Sequence, residues 1–304
     1  MCPIIDLHCD TIYALAYGEA RGNLEENDGH TDLRWMEKAG KVTTAFALFV
    51  PLKHGISPWD TATMLHTRFI EEIASSHGRI QQVRTALDIE NNPVQGALLS
   101  CEELQILEGD LSRIQTLSSW GVRMATLIWN NENDLAYPNQ KEGGLKSFGF
   151  EAVQEMERHG ILVDVSHLND EGFFDLVGIA KKPFIASHSN CRSVTNHSRN
   201  LSDRMIHSIA ERGGVVGLNF CPSFLSEDWE KSSMEAIIKH VVHLKRVGGT
   251  DILALGTDFD GISGSLEIDH YSKFDMLWNA LEKKGFSTSE LDKMWYLNAL
   301  RVLS

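Results

Sequence analysis

The sequence lacks the features that mark membrane-spanning, secreted and nucleic-acid-binding proteins. None of its apolar runs is long enough to cross a bilayer, and the N-terminus has no basic segment followed by an apolar one. Basic residues are few, since 28 Lys and Arg against 42 Asp and Glu leave a formal net charge of −14. We therefore expect neither nucleic acid nor an anionic membrane as the main partner, and we predict a cytoplasmic protein.

Closely spaced cysteines are also absent. Five cysteines are scattered along the 304 residues, their number is odd, and no CxxC pair occurs. This pattern favours reduced thiols over a disulfide framework, and a free cysteine packs as a small apolar side chain. The five are Cys2, Cys9, Cys101, Cys191 and Cys221.

The sequence contains a regular alternation of apolar runs and amphipathic segments. Most of the runs are near-continuously hydrophobic, as expected of parallel strands that are covered on both faces. The eight predicted strands are residues 3–9, 42–50, 96–101, 122–129, 161–167, 183–189, 214–220 and 251–259. The predicted helices with recognisable ends are residues 57–78, 201–214 and 287–303. Ser287 and Glu290 form a capping box at the start of the last one.

Eight strands that alternate with helices predict an α/β fold, a closed (β/α)8 TIM barrel that forms a single domain over residues 1–304. An open doubly wound sheet is the alternative, but no Gly-rich phosphate loop follows the first strand. Residues 130–149 are polar and Gly-rich, and we predict that they form a long loop over the barrel mouth.

Residue types that bind metals or move protons recur where the predicted strands end. They are His8, Asp10, Glu102, His167, His188, Asp258 and Asp260. In a barrel, catalytic groups lie at the C-terminal ends of the strands. His8 and Asp10 are two residues apart, so both side chains point to one face of a strand, with Cys9 on the other face. Asp6 has the parity of His8 and is a candidate hydrogen-bond partner deeper on that face.

Each of these residues also has a structural interpretation. The His-x-Asp pair could be a hydrogen-bonded pair in a barrel core, and either of the later histidines could be a buried residue with ordinary partners. Glu102 could begin an exposed helix, and Glu103 and Glu108 are rivals for its role. Asp258 could cap a turn.

The combination favours a metal centre. Five nitrogen and oxygen ligands that converge on one rim would be costly in a core without partners or ions. Histidine and carboxylate ligands without cysteine suit zinc or a similar divalent ion in a catalytic site. Glu102 lies between two pairs of ligands in the sequence, so it could bridge two ions about 3.5–4 Å apart, the arrangement that activates water.

In its motifs, the chain resembles the membrane dipeptidase (renal dipeptidase) family of dinuclear zinc peptidases. The resemblance runs almost end to end, through the segments DLHCDT, ALLSCEEL, WGVRMATLIWNNEN, GILVDVSHLND, PFIASHSNCRSV, SRNLSD, GGVVGLNF and GTDFDG in this order. It implies a soluble, bacterial-type member with an amidohydrolase-like (β/α)8 barrel. It also implies two Zn²⁺ per chain, or another divalent metal, and a homodimer.

The resemblance implies roles for individual residues. The metal ligands would be His8, Asp10, Glu102, His167 and His188. Glu102 would bridge both ions, and Arg199 in the SRN segment would receive the terminal carboxylate of the substrate. Asp258 would be the acid near the bridging water, whereas Asp260 would hold the last loop.

Three positions depart from the family pattern. Trp129 stands where many relatives have a histidine that contacts the scissile carbonyl, and the neighbouring Asn130 could supply an amide donor instead. Glu103 replaces the usual glycine after the bridging glutamate, and Phe224 stands where some relatives have a carboxylate-binding tyrosine. The predicted substrate-binding residues are therefore Arg199, Trp129 and Asn130.

The predicted function is zinc-dependent hydrolysis of dipeptides by a metal-bridged hydroxide. Asp258 would take the proton of that hydroxide and pass it to the leaving amine. Another metal-dependent hydrolase on the same barrel, such as a lactonase, amidase or deaminase, is the alternative, because a fold does not decide its chemistry. A non-catalytic binding barrel would have broken ligand positions, whereas all five are intact.

Overall fold

The computed structural model describes residues 2–52, 55–227 and 229–304. The strands in these ranges are β1 (Ile4–Cys9), β2 (Val42–Phe49), β3 (Ile80–Gln82), β4 (Gln95–Glu102), β5 (Val122–Thr126), β6 (Leu162–Asp164), β7 (Val216–Leu218), β8 (Lys231–Ser232), β9 (Leu253–Leu255) and β10 (Ser265–Leu266). The main sheet is parallel, in the order β6-β5-β4-β2-β1-β9-β7, with the short β3 beside β4. Strands β8 and β10 form a separate two-stranded ribbon.

The closing segment, residues 185–186, joins the two edges of this sheet. Asp164 at the end of β6 pairs with Ile185, and Ala186 pairs with Val216 at the start of β7. Eight parallel segments therefore enclose the core, namely the closing segment and β1, β2, β4, β5, β6, β7 and β9. The predicted (β/α)8 barrel is confirmed, although its sixth strand pairs through two residues and not along the whole predicted run.

Helices connect the strands and cover the outside of the barrel. They are α1 (Thr11–Tyr17), α2 (Leu33–Ala39), α3 (Pro58–Ser75), α4 (Ala86–Asn91), α5 (Ser112–Trp120), α6 (Ser147–His159), α7 (Asp170–Ile179), α8 (Asp203–Glu211), α9 (Pro222–Leu225), α10 (Met234–Gly248), α11 (Phe274–Lys283), α12 (Thr288–Asp292) and α13 (Asn298–Val302). Within the described ranges, none of these helices combines the length and the apolar character that a bilayer span requires.

The three helices predicted from their caps are present. Ser57 caps α3 by accepting from the backbone N–H of Asp60, and Ser202 caps α8 in the same way. The capping box at Ser287 is also present, but a π-helical turn at Lys293–Leu297 separates α12 from α13. Apolar periodicity does not distinguish such a turn from a continuous α-helix.

The loop predicted over residues 130–149 ends earlier than expected, because α6 begins at Ser147. Gly149 favoured a loop in the sequence, yet it lies in the first turn of this helix. A Cβ atom at Gly149 would lie 2.2 Å from the carbonyl oxygen of Leu135. The glycine therefore allows the loop backbone to approach the helix closely, and it does not interrupt the helix.

A β-bulge in the first strand decides which residues face the barrel mouth. Asp6 pairs with Thr44 and Cys9 pairs with Phe46, so three steps along β1 match two steps along β2. Asp6 and Cys9 consequently lie on the same side of the sheet, whereas the side chain of His8 faces the mouth.

The expectation that Asp6 shares the face of His8 is therefore wrong. Asp6 accepts hydrogen bonds from Thr257 Oγ1 at 2.6 Å and from Tyr271 Oη at 2.8 Å. It fixes the backbone near the site without facing the predicted ligands. Cys9 lies in the apolar core and receives a hydrogen bond from Thr44 Oγ1 at 3.5 Å, on the face predicted for it.

Candidate metal centre

The residues predicted to bind metal come together at the C-terminal mouth of the barrel. All lie at the C-terminal end of a strand or just beyond it, on five different strands or strand-like segments, and all are buried. They are His8 and Asp10 (β1), Glu102 (β4), His167 (after β6), His188 (after the closing segment) and, with them, the predicted acid Asp258 (after β9). Parallel strands deliver their carboxyl ends to one rim, which brings together residues that are far apart in sequence.

One half of the cluster surrounds His8. Its Nε2 atom lies 3.3 Å from Asp10 Oδ2, 3.6 Å from Glu102 Oε2 and 3.8 Å from Asp258 Oδ1. Two groups of side chains that share His8 are close enough to hold a cation, namely His8 with Asp10 and Asp258, and His8 with Glu102 and His188.

The other half contains His167 and His188. Glu102 Oε1 lies 3.0 Å from His167 Nε2 and 3.6 Å from His188 Nε2, and the two Nε2 atoms are 3.0 Å apart. Glu102 therefore presents one oxygen to each half of the cluster, as a bridging carboxylate would.

Hydrogen bonds behind the rings orient both histidines. Asn130 Oδ1 lies 2.9 Å from His167 Nδ1, and Ser187 Oγ lies 2.7 Å from His188 Nδ1. In each ring the Nδ1 atom is thus engaged, and Nε2 is directed into the cluster. Buried partners of this kind select the tautomer that leaves Nε2 free to bind a metal.

The electrostatic field at His8 is strongly negative. Burial by itself lowers the pKa of His8, yet the carboxylates of Asp10, Glu102 and Asp258 outweigh it and raise this pKa to about 10. A divalent cation between these carboxylates would supply the positive charge that they favour.

The remaining groups also fit a cation. Burial lowers the pKa values of His167 and His188 well below their ordinary value, so both rings are neutral and can act as ligands. Burial raises the pKa of Glu102 well above its usual range and that of Asp258 to about 7. Asp10 Oδ1 is buried and has no hydrogen-bond partner among the described residues. These donors therefore fit a divalent metal.

A sequence profile of the membrane dipeptidase family, peptidase family M19, matches residues 1–304. The chain belongs to this family. The family predicted from the motifs is thereby confirmed, and the chain is a metal-dependent hydrolase that acts on peptide bonds.

Members of the dipeptidase family and related proteins resemble the chain over most of its length. An uncharacterised dipeptidase of Schizosaccharomyces pombe is 28% identical over 330 residues, which cover 98% of this chain and 79% of that protein. An uncharacterised protein from the pqqA 5′ region of Klebsiella pneumoniae is 32% identical over 245 residues, which cover 76% of this chain and 90% of that protein. The crystal structure of a metallopeptidase from Rhodobacter sphaeroides, which holds a phosphinate mimic of the dipeptide L-Ala-D-Ala, aligns with a TM-score of 0.91 at 25% identity, covering 99% of this chain and 98% of that one.

In this dipeptidase-family chain, Arg199 lies directly behind His188. Its Nη2 donates to the backbone oxygen of His188 at 3.1 Å, and its Nη1 donates to Ser189 Oγ at 3.4 Å. The guanidinium lies 5.4 Å from the centre of the Phe224 ring, and its buried Nε has no hydrogen-bond partner in the described part of the chain. The predicted carboxylate-binding residue is thus buried next to the cluster, and not all of its N–H donors are used within the described residues.

A cavity of about 370 Å³ opens above the cluster. Its lining includes Tyr13, Phe49, Trp129, Asn130, Phe224 and Asp258. The predicted substrate-binding residues Trp129 and Asn130 therefore do line the space next to the ligands. Phe224 does so too.

Three acidic residues near the motifs do not join the cluster. The carboxylate of Glu103 faces the loop after β5, and the φ of Glu103, 89°, lies in the left-handed region that glycine adopts most readily. Glu108 pairs with Arg113 at 2.6 Å, away from the mouth. Asp260 accepts from Thr11 Oγ1 at 2.5 Å and thus holds the last loop.

The sequence interpretation missed the residues that position the predicted groups. Asn219 Nδ2 donates to Asp258 Oδ2 at 2.8 Å, and Ser187, the partner of His188, donates in turn to Asp164. Asn219 lies one residue before the end of the predicted seventh strand, so its position near the rim was a signal that could have identified it. Nothing in the local pattern distinguishes Ser187 from an ordinary strand residue.

Proposed function

We propose that this protein is a zinc-dependent dipeptidase that holds two Zn²⁺ ions per chain, replaceable by another divalent metal. The proposed ligands are His8, Asp10, Glu102, His167 and His188. The observation that carries the proposal is the position of Glu102, whose Oε2 lies 3.6 Å from His8 Nε2 and whose Oε1 lies 3.0 Å from His167 Nε2. A carboxylate that lies between two groups of ligands favours a site with two ions over a site with one ion.

When bound, the metal pair activates water for attack and polarises the scissile carbonyl. Asp258 is the proposed proton carrier. Asn219 donates a hydrogen bond to Oδ2 of Asp258. The Oδ1 atom of Asp258 remains directed into the cluster, 3.8 Å from His8 Nε2. A carboxylate in this position can accept a proton from the attacking water and return it to the leaving amine.

Arg199 is proposed to bind the free carboxylate of the dipeptide through a charge-assisted hydrogen bond. The contacts of two of its nitrogens with His188 and Ser189 fix the guanidinium before substrate binds. The guanidinium carries five N–H groups, so donors remain besides these two for a substrate carboxylate. A fixed arginine so close to the ligands restricts the substrate to very short peptides, because the carboxylate of a longer peptide lies too far from the scissile bond.

Trp129 and Asn130 are proposed to contact the substrate from the wall of the cavity. Asn130 Oδ1 is engaged with His167, so the amide nitrogen is the part of Asn130 that could donate to the substrate. Trp129 offers an aromatic surface where a relative's histidine would offer a donor.

The remaining predictions complete this proposal. We propose one catalytic domain over residues 1–304, a dipeptide as the small-molecule substrate, a homodimer and a cytoplasmic location. The net charge of −14 supports the absence of a nucleic-acid partner.

A substrate panel tests the proposal. Zinc-loaded and chelator-treated protein would be assayed on dipeptides, cyclic amides and lactones. We expect the loaded protein to hydrolyse dipeptides, the treated protein to lose this activity and added zinc to restore it. A preference for lactones or cyclic amides would assign the protein to another class of metal-dependent hydrolase.

A further inference from the structure

A buried carboxylate next to the cluster has no place among the proposed ligands. Glu103 is 1% exposed, and its side chain faces the loop that follows β5. Its Oε2 accepts a hydrogen bond from Trp129 N at 3.0 Å, and its Oε1 accepts from Asn133 Nδ2 at 2.5 Å and from Gln105 N at 2.9 Å. Hydrogen bonds to a carboxylate are stronger than those to a neutral acceptor, so Glu103 fixes its three partners firmly.

These bonds hold both ends of residues 129–133. At the far end, Asn133 also donates to the backbone oxygen of Leu127 at 2.9 Å, which folds the loop back on itself. At the near end, the N–H of Trp129 is held directly. Glu103 therefore fixes the backbone from which the Trp129 side chain projects at the barrel mouth.

Trp129 belongs to an aromatic wall, which consists of Tyr13, Phe49 and Trp129. The ring of Phe49 lies edge-on, with its centre 4.9 Å from that of Tyr13 and 4.8 Å from that of Trp129. All three residues line the cavity above the cluster, and the ring centre of Trp129 is 6.2 Å from that of His167. The wall is thus a continuous apolar surface next to the proposed ligands.

The aromatic wall and the proposed carboxylate-binding group belong to opposite halves of the barrel. Tyr13, Phe49 and Trp129 lie at or after the ends of β1, β2 and β5, which belong to the contiguous part β5-β4-β2-β1. Arg199 and Phe224 follow the closing segment and β7, in the other half. A dipeptide whose carboxylate binds Arg199 would therefore direct its N-terminal residue towards the aromatic wall.

We propose that Glu103 is a positioning residue that fixes Trp129 in the aromatic wall, and that this wall selects dipeptides with a large apolar N-terminal side chain. This inference rests on the proposed dipeptidase function and adds the substrate class. An apolar side chain that leaves water for an aromatic surface binds more tightly, by an amount that grows with its buried area. In a closed apolar pocket, one additional methylene on the substrate raises kcat/KM roughly 10-fold or more. Even in this open cavity, we therefore expect kcat/KM to be about 10-fold higher for a dipeptide with a large apolar N-terminal residue than for one with N-terminal alanine.

The test compares Glu103→Gln and Trp129→Ala with the native protein. Glutamine keeps the size of Glu103 but offers a single oxygen, so at least one of the three donors loses its acceptor. Glu108→Gln is the matched control. Glu108 lies at the other end of the same helical turn, Leu104–Leu107, and also has a positive φ, but it bonds to Arg113 outside the cavity.

The readout is the ratio of kcat/KM for Phe-Ala to kcat/KM for Ala-Ala, with Ala-Phe as the reversed substrate and metal content measured for every variant. We expect this ratio to fall about 10-fold in Trp129→Ala and severalfold in Glu103→Gln, with no further fall in the double variant, because both changes act on one wall. The control Glu108→Gln should keep the native ratio. Metal content should be the same in all of them.

The outcomes separate this inference from the proposed function. An unchanged ratio in Trp129→Ala, an equal loss on both substrates in Glu103→Gln, or a change confined to Ala-Phe would overturn the inference and leave the dipeptidase function intact. Native protein that hydrolyses no dipeptide would overturn both. If Glu103→Gln does not fold, Glu103→Gly takes its place, since glycine accepts a φ of 89° and removes all three bonds.

Discussion

Two buried histidine sites in this molecule are alike in burial and differ in what their ring nitrogens face. At the first, His240 on α10 accepts from Cys191 N at its Nδ1 atom and faces the backbone oxygen of Leu225 with its Nε2 atom, both at 3.0 Å. At the second, in the metal centre, the Nε2 atoms of His167 and His188 lie 3.0 Å from one another and face one shared carboxylate.

The difference shows that burial does not by itself identify a ligand. His240 is complete within the protein, because each of its nitrogens meets a backbone group of the opposite hydrogen-bonding type. In the metal centre, neutral imidazole nitrogens and carboxylate oxygens face each other, and Asp10 Oδ1 has no partner among the described residues. Acceptor atoms that converge in this way need a shared proton or a cation between them, and that need separates the candidate metal centre from the structural histidine site.

The largest expected effect is that of Glu102→Gln, measured against His240→Gln. The first change removes the carboxylate that faces both groups of ligands, so we expect loss of bound metal and of detectable dipeptide hydrolysis. The second should lower the melting temperature and leave metal content and kcat/KM near native values. Metal analysis and steady-state kinetics provide the check; a metal-loaded, active Glu102→Gln variant would remove the distinction between the two sites.

Asp258→Asn should separate proton transfer from metal binding inside the centre. Asparagine keeps the size of the side chain but cannot carry the proton, so we expect kcat to fall by about 10²–10⁴-fold. Metal content should stay native, because Asp258 is not one of the five proposed ligands. Loss of metal in this variant would instead make Asp258 a ligand.

A smaller effect is expected from Ser187→Ala, with Thr195→Val as the control at the His240 site. Ser187 Oγ lies 2.7 Å from His188 Nδ1, and removing such a partner of a ligand weakens metal affinity by roughly 10–100-fold. Thr195 Oγ1 lies 3.4 Å from His240 Nε2, and its loss should leave metal affinity unchanged. Competition with a chelator measures both affinities, and equal values for the two variants would contradict the prediction.

The last expected effect concerns stability and not metal binding, and it is the pH dependence that His240 contributes. Burial lowers the pKa of His240 from 6.5 to about 4, so the unfolded chain takes up a proton at higher pH than the folded protein. This contribution is fully present above pH 6.5 and is lost as the pH falls towards 4, by about 3 kcal/mol. Denaturant unfolding at several pH values should show a flatter dependence in His240→Gln than in the native protein. Identical slopes would mean that His240 does not titrate in this range.

The sequence predicts which side chains meet at the barrel mouth because the barrel brings the ends of its strands together. His8, Glu102 and His188 are far apart in the chain, yet each directly ends an apolar run, and parallel strands bring such ends to one rim. The order of the motifs then identified the family. The polar residues at the strand ends and the order of the motifs can both be read from a single sequence.

The finer features depend on contacts that a single sequence does not display. The bulge between Asp6 and Cys9 follows from pairing with β2, so strand parity alone placed Asp6 on the wrong face. The roles of Glu103 and Asn219 depend on which backbone groups meet them across the barrel mouth. Gly149 favours a loop in the sequence, but it lies inside a helix. A glycine is needed there because the backbone of Leu135 approaches the helix closely.

Metal titration of the chelator-treated protein tests the central claim most directly. Zinc would be added in steps while bound metal and dipeptide hydrolysis are both measured. The proposed centre predicts no activity without metal and a rise that reaches its plateau at two equivalents per chain. Full activity in the metal-free protein, or failure to bind zinc at all, would contradict the assignment of these residues to a catalytic metal centre.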